Sequence, residues 1–481
     1  ALTEHHECNA VLFVVLIQCL ANTQHQPETN SVLRETGRLV IIKLKPGMSA
    51  FGRKWKVMLC LMEESLFKII HTSDWHLGQY FMGKSRQAEH QQFLQWLIDT
   101  AIQQDVQAII VAGDIFDTGS PPSYARQLYN QFIVKLQATG IHLIILGGNH
   151  DSVATLGESK ELLACLNTHV IPGALADIND QVITLSNAEH EPQAIVCAIP
   201  YLRPRDILQS EAGQSGSEKQ QSLQQAISDH YQSIFALAKI KQADIKKASG
   251  HLVPIIATGH LTTVGAKSSE SVRDIYIGSL EAFPSSAFPA ADYIALGHIH
   301  RPQLVGGSEH IRYCGSPIPL SFDELNNAKT ILLVEFNNDQ FIAAKPKEVP
   351  RFQPMHLIKG DLDTIAAEIK TLAAQYDASQ PAWLDIEVST QDYLNDLHQR
   401  IQTLVEDLPL EVLLLRRERK QRLHSIESET QETLQELTPK QVFEKRLALQ
   451  NWEEDSQAAK KVRIILAFDE VLDALTNAAE S

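Results

Sequence analysis

From residue 66 onward, short apolar runs alternate with longer polar-apolar stretches of helical period. The runs at 66–71, 108–112, 141–146, 194–198, 255–258, 293–296 and 330–336 read as strands, and helical patterns lie at 87–103 and 123–139. Strands alternating with helices of that length predict a layered α/β domain over 63–349. A polar, Gln- and Ser-rich stretch at 211–247, helical around 227–240, reads as an inserted surface loop and helix. After Pro350 the pattern restarts, with strands predicted at 356–359, 383–388 and 410–415 and helices at 363–375 and 392–406 between them. That β-α-β-α-β order predicts a small second domain over 350–417. The remainder, 418–481, begins charged and rich in Glu and Gln, then gives two amphipathic helical segments at 439–452 and 460–475. A detached helix pair has too little core to stand alone, so its apolar sides pack back on the body or dock on a partner.

The first 62 residues differ from the rest. The run 10–20 is apolar apart from Gln18, but Glu4 and Glu7 precede it without any Lys or Arg. That is the wrong flank for a secretory signal, and the run is too short to span a bilayer. The segment is expected to be an extension with little fixed structure ahead of a functional start near Met62.

Composition narrows the class. A hydrophobic content of 44% and a charged content of 21% fit a globular protein with a sizeable core. The net charge of −16 argues against a general nucleic-acid binder, so any grip on DNA has to be local or shared with a partner. Six cysteines are scattered without a C-x-x-C pair, as small core residues are, which points to a reducing, cytoplasmic compartment.

The candidate chemistry sits where the predicted strands end. Five stretches carry it: Asp74-Trp75-His76, Gly113-Asp114-Ile115-Phe116-Asp117, Gly148-Asn149-His150-Asp151, Gly259-His260 and Gly297-His298-Ile299-His300. Open α/β sheets place ligands at the carboxyl ends of their strands, and glycine beside a ligand lets the backbone turn sharply and an ion come close. Taken singly, each stretch is an ordinary turn; together they make one site. The Asp, Asn and His set suits Mn²⁺, Fe²⁺ or Zn²⁺ better than Mg²⁺. It exceeds the needs of one tetrahedral ion and suits two ions sharing a carboxylate. Two cations roughly 3.5–4 Å apart activate a water and clamp phosphoryl oxygens during in-line attack. A histidine beside them that is not a ligand can protonate the leaving alkoxide. His71, inside the first strand, reads as a packing or supporting residue.

The series D-x-H, G-D-x-x-D, G-N-H-D, G-H, G-H-x-H resembles the calcineurin-like metallophosphoesterases. The stretches 71–78 and 112–117 and Gly315-Ser316-Pro317 are similar to the SbcD family, the nuclease subunits of bacterial SbcCD complexes, and the added regions after Pro350 resemble that family's DNA-capping domain and partner-docking helices. The resemblance implies a metallophosphoesterase β-sandwich flanked by helices. It implies one metal held by Asp74, His76, Asp114 and His300, and a second by Asp114, Asn149, His260 and His298. His150 would be the acid or transition-state stabiliser, with Asp117 and Asp151 orienting neighbours. It further implies Mn²⁺ dependence, 3′→5′ exonuclease and hairpin-opening endonuclease action on DNA, and a coiled-coil SbcC-type ATPase partner with two copies of each subunit. The motifs alone are equally compatible with a phosphatase or phosphodiesterase of small molecules or phosphoproteins. A metal-binding scaffold without chemistry would have no use for His150.

Overall fold

The computed structural model describes residues 66–208, 215–269, 271–273, 275, 282–389 and 396–417, the strand backbone of Ser31–Glu35, Arg38–Pro46 and Trp55–Met62, and helical Ile464 and Phe468. The chain divides into two compact units, Ala1–Glu418 and Arg419–Ser481. Apart from Ile464 and Phe468, the expected tail helices lie outside the described residues.

Two six-stranded sheets form the centre of the first unit. In one, Phe67–Thr72, Ala108–Val111, His142–Leu146 and Thr168–Ile171 run parallel, and Thr330–Asn337 and Gln340–Glu348 close one side antiparallel. In the other, Pro192–Cys197, Ile255–His260, Tyr293–Gly297 and Ser308–Tyr313 run parallel, with Val182–Ser186 and Gln303–Val305 antiparallel at the edges. The strand period of two explains the near-continuous apolar runs, because both faces of these strands are covered. Ile69, Ile110, Ile144, Val196, Ile256 and Ala295 point into the layer between the sheets. Their neighbours Ile70, Ile109 and Ile145 meet the helices Gln87–Gln103 and Ser123–Gln137, while Ile255 and Ile294 meet Gly216–Ser249.

His71 ties the two sheets together. Its Nε2–H donates to the Leu296 carbonyl at 3.2 Å and its Nδ1 accepts from the Tyr293 hydroxyl at 2.9 Å. Burial holds the ring neutral, pushing its pKa down to about 3.

The stretch at 211–247 departs from the expected loop and short helix: Gly216–Ser249 is one helix of 34 residues. Ser215 and Glu218 form a capping box at its start, and Gly250 ends it in the left-handed conformation. Leu223, Ile227, Tyr231, Ile234, Ala238 and Gln242 fall at helical spacing and are buried, so the polar composition belongs mainly to the outer faces. Of the first 62 residues, only strand backbone is described. The backbone of Ser31–Glu35, Arg38–Pro46 and Trp55–Met62 forms a three-stranded antiparallel sheet, consistent with the Val- and Ile-rich sequence at 40–42.

Beyond Pro350, Met355–Gly360, Ala382–Val388 and Leu410–Arg417 make a parallel three-stranded sheet in the expected β-α-β-α-β order, with helices Leu362–Ala373 and Leu397–Val405 packed on it. This small domain meets the larger one through a separate apolar cluster of Phe81, Phe322, Met355 and Trp383. Phe81 and Trp383 stack with ring centroids 5.6 Å apart, and Lys84 pairs with Glu411 at 2.8 Å. No helix among the described residues is long and apolar enough to cross a membrane.

Candidate metal centre

The parallel strands of both sheets deliver their carboxyl ends to the same edge, and all five motifs converge there. Past the strand ends the first two motif loops stay paired: Asp74 N–H donates to the Gly113 carbonyl at 3.0 Å and His76 N–H to the Asp114 carbonyl at 3.0 Å. The ladder therefore continues with both loops in left-handed backbone. Asp74 (φ 54°), His76 (φ 46°) and Asp114 (φ 50°) occupy that region, as does His298 (φ 91°) from the other sheet. Non-glycine residues there each cost about 1–3 kcal/mol and persist where surrounding contacts dictate them. Gly113 shows how close the approach is: its φ is +94°, and a Cβ there would lie 2.1 Å from His260 Nδ1. At Gly148 a Cβ would lie 2.1 Å from an Asp114 carboxylate oxygen.

Asp114 stands at the middle. One of its oxygens, Oδ2, lies 3.2 Å from His260 Nε2 and 3.6 Å from His76 Nε2, and the other accepts the His150 N–H at 2.9 Å. On one side, Asp74, His76 and His300 bring ligand atoms within 4.8 Å of one another; on the other, Asp114, His260 and His298 do the same. Asn149 Oδ1 joins the second group, 2.9 Å from His260 Nε2 and 3.1 Å from His298 Nδ1. All seven expected ligands are thus brought together. Among the described residues, the Nε2 atoms of His76 and His298 are buried without a hydrogen-bond partner. Buried polar atoms without partners are costly, and a cation would satisfy both.

The rings are oriented from behind. His260 Nδ1–H donates to the Ala112 carbonyl at 2.9 Å, and His76 Nδ1–H donates to Asp117 Oδ1 at 3.1 Å, leaving each Nε2 facing Asp114. Asp151 lies under the site and accepts the backbone N–H groups of Ile115, Phe116 and Gly148 at 2.9–3.1 Å. It thereby fixes the loops that carry Asp114 and Asn149. Burial pushes its carboxyl up to about 6, and the neighbouring Asp114 charge acts the same way.

Burial opposes charge on His260, but the Asp114 carboxylate outweighs it and the imidazole is pushed up to about 9. Burial likewise opposes ionisation of Asp114, and His260 holds it well below the usual carboxylate range. Without cations the site stores charge as imidazolium beside carboxylate, and cation uptake displaces those protons. His150 is different: burial lowers it, and its Nδ1–H is committed to the Asp117 carbonyl at 2.7 Å. Its ring stands edge-on to His76 with centroids 4.7 Å apart, and one of its nitrogens lies within 4.8 Å of the ligand atoms of His76 and Asp114. Asn149, His150 and Asp117 are part-exposed, whereas Asp74, His76, Asp114, His260, His298 and His300 are buried. The cluster therefore opens to solvent on the Asn149–His150 side.

The sequence reading missed the group behind His300. Its Nδ1 lies 2.6 Å from Ser271 Oγ and 3.4 Å from Glu324 Oε1, and buried Lys329 pairs with Glu324 at 2.5 Å. None of the three belongs to a strand-end motif, so no local signal marks them.

A two-sheet sandwich with this Asp, Asn and His cluster at its strand ends is a metallophosphoesterase. The calcineurin-like phosphoesterase family matches residues 67–302, and the SbcD_C family, described as Type 5 capsule protein repressor C-terminal domain, matches 351–451. The chain is 55% identical over 392 residues to the SbcD component of the SbcCD nuclease of Escherichia coli (strain K12), covering 81% of this chain and 95% of that protein. The corresponding SbcCD components are 33% identical in Rhodobacter capsulatus (61% of this chain, 71% of the relative) and 30% identical in Bacillus subtilis (68% and 80%). The chain belongs to the SbcD family of SbcCD nuclease components.

Proposed function

We propose that this chain is the nuclease subunit of an SbcCD-type complex, hydrolysing DNA phosphodiester bonds at the strand-end cluster during DNA end processing, repair and recombination. The observation that carries the reading is Asp114, whose carboxylate reaches histidines of both halves of the cluster at 3.2 and 3.6 Å. In this reading Asp74, His76, Asp114 and His300 hold one divalent ion and Asp114, Asn149, His260 and His298 the other, with Mn²⁺ favoured by the mixed nitrogen and oxygen donors. When bound, the two cations supply the positive charge that activates a water nucleophile and offsets the phosphoryl oxygens.

The chain's own residues do the rest. Asp117 and the Ala112 carbonyl keep Nδ1–H on His76 and His260, so each ring presents a lone pair inward. Asp151 holds the Asp114 and Asn149 loops in register through its three backbone hydrogen bonds. His150 stands on the part-exposed side with Nδ1 tied back, so its Nε2 is the atom left to take up a proton from solvent and pass it to the departing sugar oxygen. The finer assignments are 3′→5′ exonuclease and hairpin-opening endonuclease action, an SbcC-type coiled-coil ATPase partner that binds the tail helices, and two copies of each subunit. They accord with the relationship to the E. coli protein and with a small domain at 350–417 packed on the Phe81 hairpin that follows the Asp74–His76 loop. The test is cleavage of linear and hairpin duplex DNA with Mn²⁺, with and without the ATPase. Metal-dependent cleavage extended by ATPase and ATP is expected; hydrolysis of small phosphoesters with none of DNA would favour a phosphatase instead.

A further inference from the structure

Behind His300 lies a buried polar network that none of the motifs contains. Glu324 sits in the short turn Phe322–Asn326 and is 2% exposed. Its Oε1 accepts hydrogen bonds from the hydroxyls of Ser269, at 2.7 Å, and Ser271. Its Oε2 accepts from Leu320 N–H at 2.9 Å and from Lys329 Nζ at 2.5 Å. Lys329 is 6% exposed and spends its remaining donors on the His300 carbonyl at 3.1 Å and Ser316 Oγ at 2.7 Å. A buried Lys–Glu pair is expensive to keep and needs every donor and acceptor used, as here.

Proton accounting gives the network a direction. The Ser271 hydroxyl donates to Glu324, so its oxygen is free to accept, and the group 2.6 Å away is His300 Nδ1. His300 therefore carries its proton on Nδ1, and its Nε2 lone pair faces Asp74 Oδ1 at 3.9 Å. Lys329 fixes the same residue a second time through its backbone carbonyl. The turn itself is anchored from outside, because Phe322 packs with Phe81, Met355 and Trp383 in the seam between the two domains. Ring and backbone of His300 are both set by one charged pair, whose carboxylate sits on a turn clamped by the seam.

We propose that Glu324, paired with Lys329 and acting through Ser271, is the positioning residue for His300 as a metal ligand. The inference rests on reading His300 as a ligand of one of two ions. Outer groups of this kind typically contribute 10–100-fold in metal affinity. The experiment is calorimetric titration of Mn²⁺ into metal-stripped full-length chain. It compares the unaltered protein with Ser271→Ala, which removes only the relay hydroxyl, and with the double variant Glu324→Gln/Lys329→Met, which removes both charges and leaves neither buried ion without its counter-charge. Two binding events are expected for the unaltered chain. In both variants one event weakens by at least tenfold and the other keeps its affinity, with thermal unfolding of the metal-free proteins still cooperative. A merely structural role would move stability without separating the two events. If the unaltered chain binds two ions and both events persist unchanged in the variants, the positioning role is overturned while the two-metal reading stands. If the unaltered chain does not bind two ions, both fall.

Discussion

His150 differs from the other histidines of the cluster in what its two nitrogens do. Nδ1–H is held by the Asp117 carbonyl and burial favours the neutral ring, so Nε2 takes up a proton from the part-exposed side before it can give one to the leaving oxygen. His150→Ala is therefore expected to leave Mn²⁺ affinity near normal and to lower kcat by roughly 10²–10⁴-fold, the usual worth of a positioned proton donor. Steady-state DNA cleavage and metal titration on the same preparation check this, and a loss of metal instead would make His150 a ligand. At this scale much of the cluster was legible, because Asp74, Asp114, Asn149, His260 and His298 are announced by a strand end and mostly by an adjacent glycine. The glycines have a steric cause that sequence can register, since side chains at 113 and 148 would occupy the space of His260 and Asp114. Glu324, Ser271 and Lys329 were illegible because they reach His300 through the fold alone, from a turn and a loop with no pattern of their own.

At the scale of elements, strands covered on both faces were read readily and edge strands were not. Ile255–His260 and Tyr293–Gly297 are buried throughout, whereas Gln303–Val305 and Gln340–Glu348, at sheet edges, are mostly half-buried or exposed, and their composition resembles loop. The helix Gly216–Ser249 was read too short for a related reason: its buried positions recur at helical spacing, but polar residues fill every other face. The seam between the domains was also invisible in sequence. It is built by Phe81, from the hairpin just after the Asp74–His76 loop, stacked on Trp383. Trp383→Ala removes a side chain only 6% exposed and is expected to cost about 3–5 kcal/mol where it packs. Hydrogen exchange should show faster opening in Met355–Gly360 and Phe322–Asn326, with the strands of the larger sandwich unaffected. Uniform protection identical to the unaltered chain would mean the seam does not hold these elements.

For the molecule as a whole, the net charge of −16 leaves little general attraction to DNA, so substrate capture falls to local contacts and to a partner. The tail helices expected at 439–452 and 460–475 are the proposed handle for that partner. A chain ended at residue 437 is expected to keep Mn²⁺-dependent cleavage of short single-stranded DNA and to lose co-purification with the ATPase. Complex formation at unchanged affinity would show that the tail is not the handle. The metal ligands sit at strand ends beyond a large apolar sandwich rather than within it, so removing the ions should silence the enzyme without unfolding it. The central claim, a two-ion centre joined by one carboxylate, is met most directly by titrating Mn²⁺ into metal-stripped unaltered chain and into Asp114→Ala. The account predicts two bound ions in the first and the loss of tight binding at both sites in the second. An Asp114→Ala protein that still takes up one ion at unaltered affinity would contradict it.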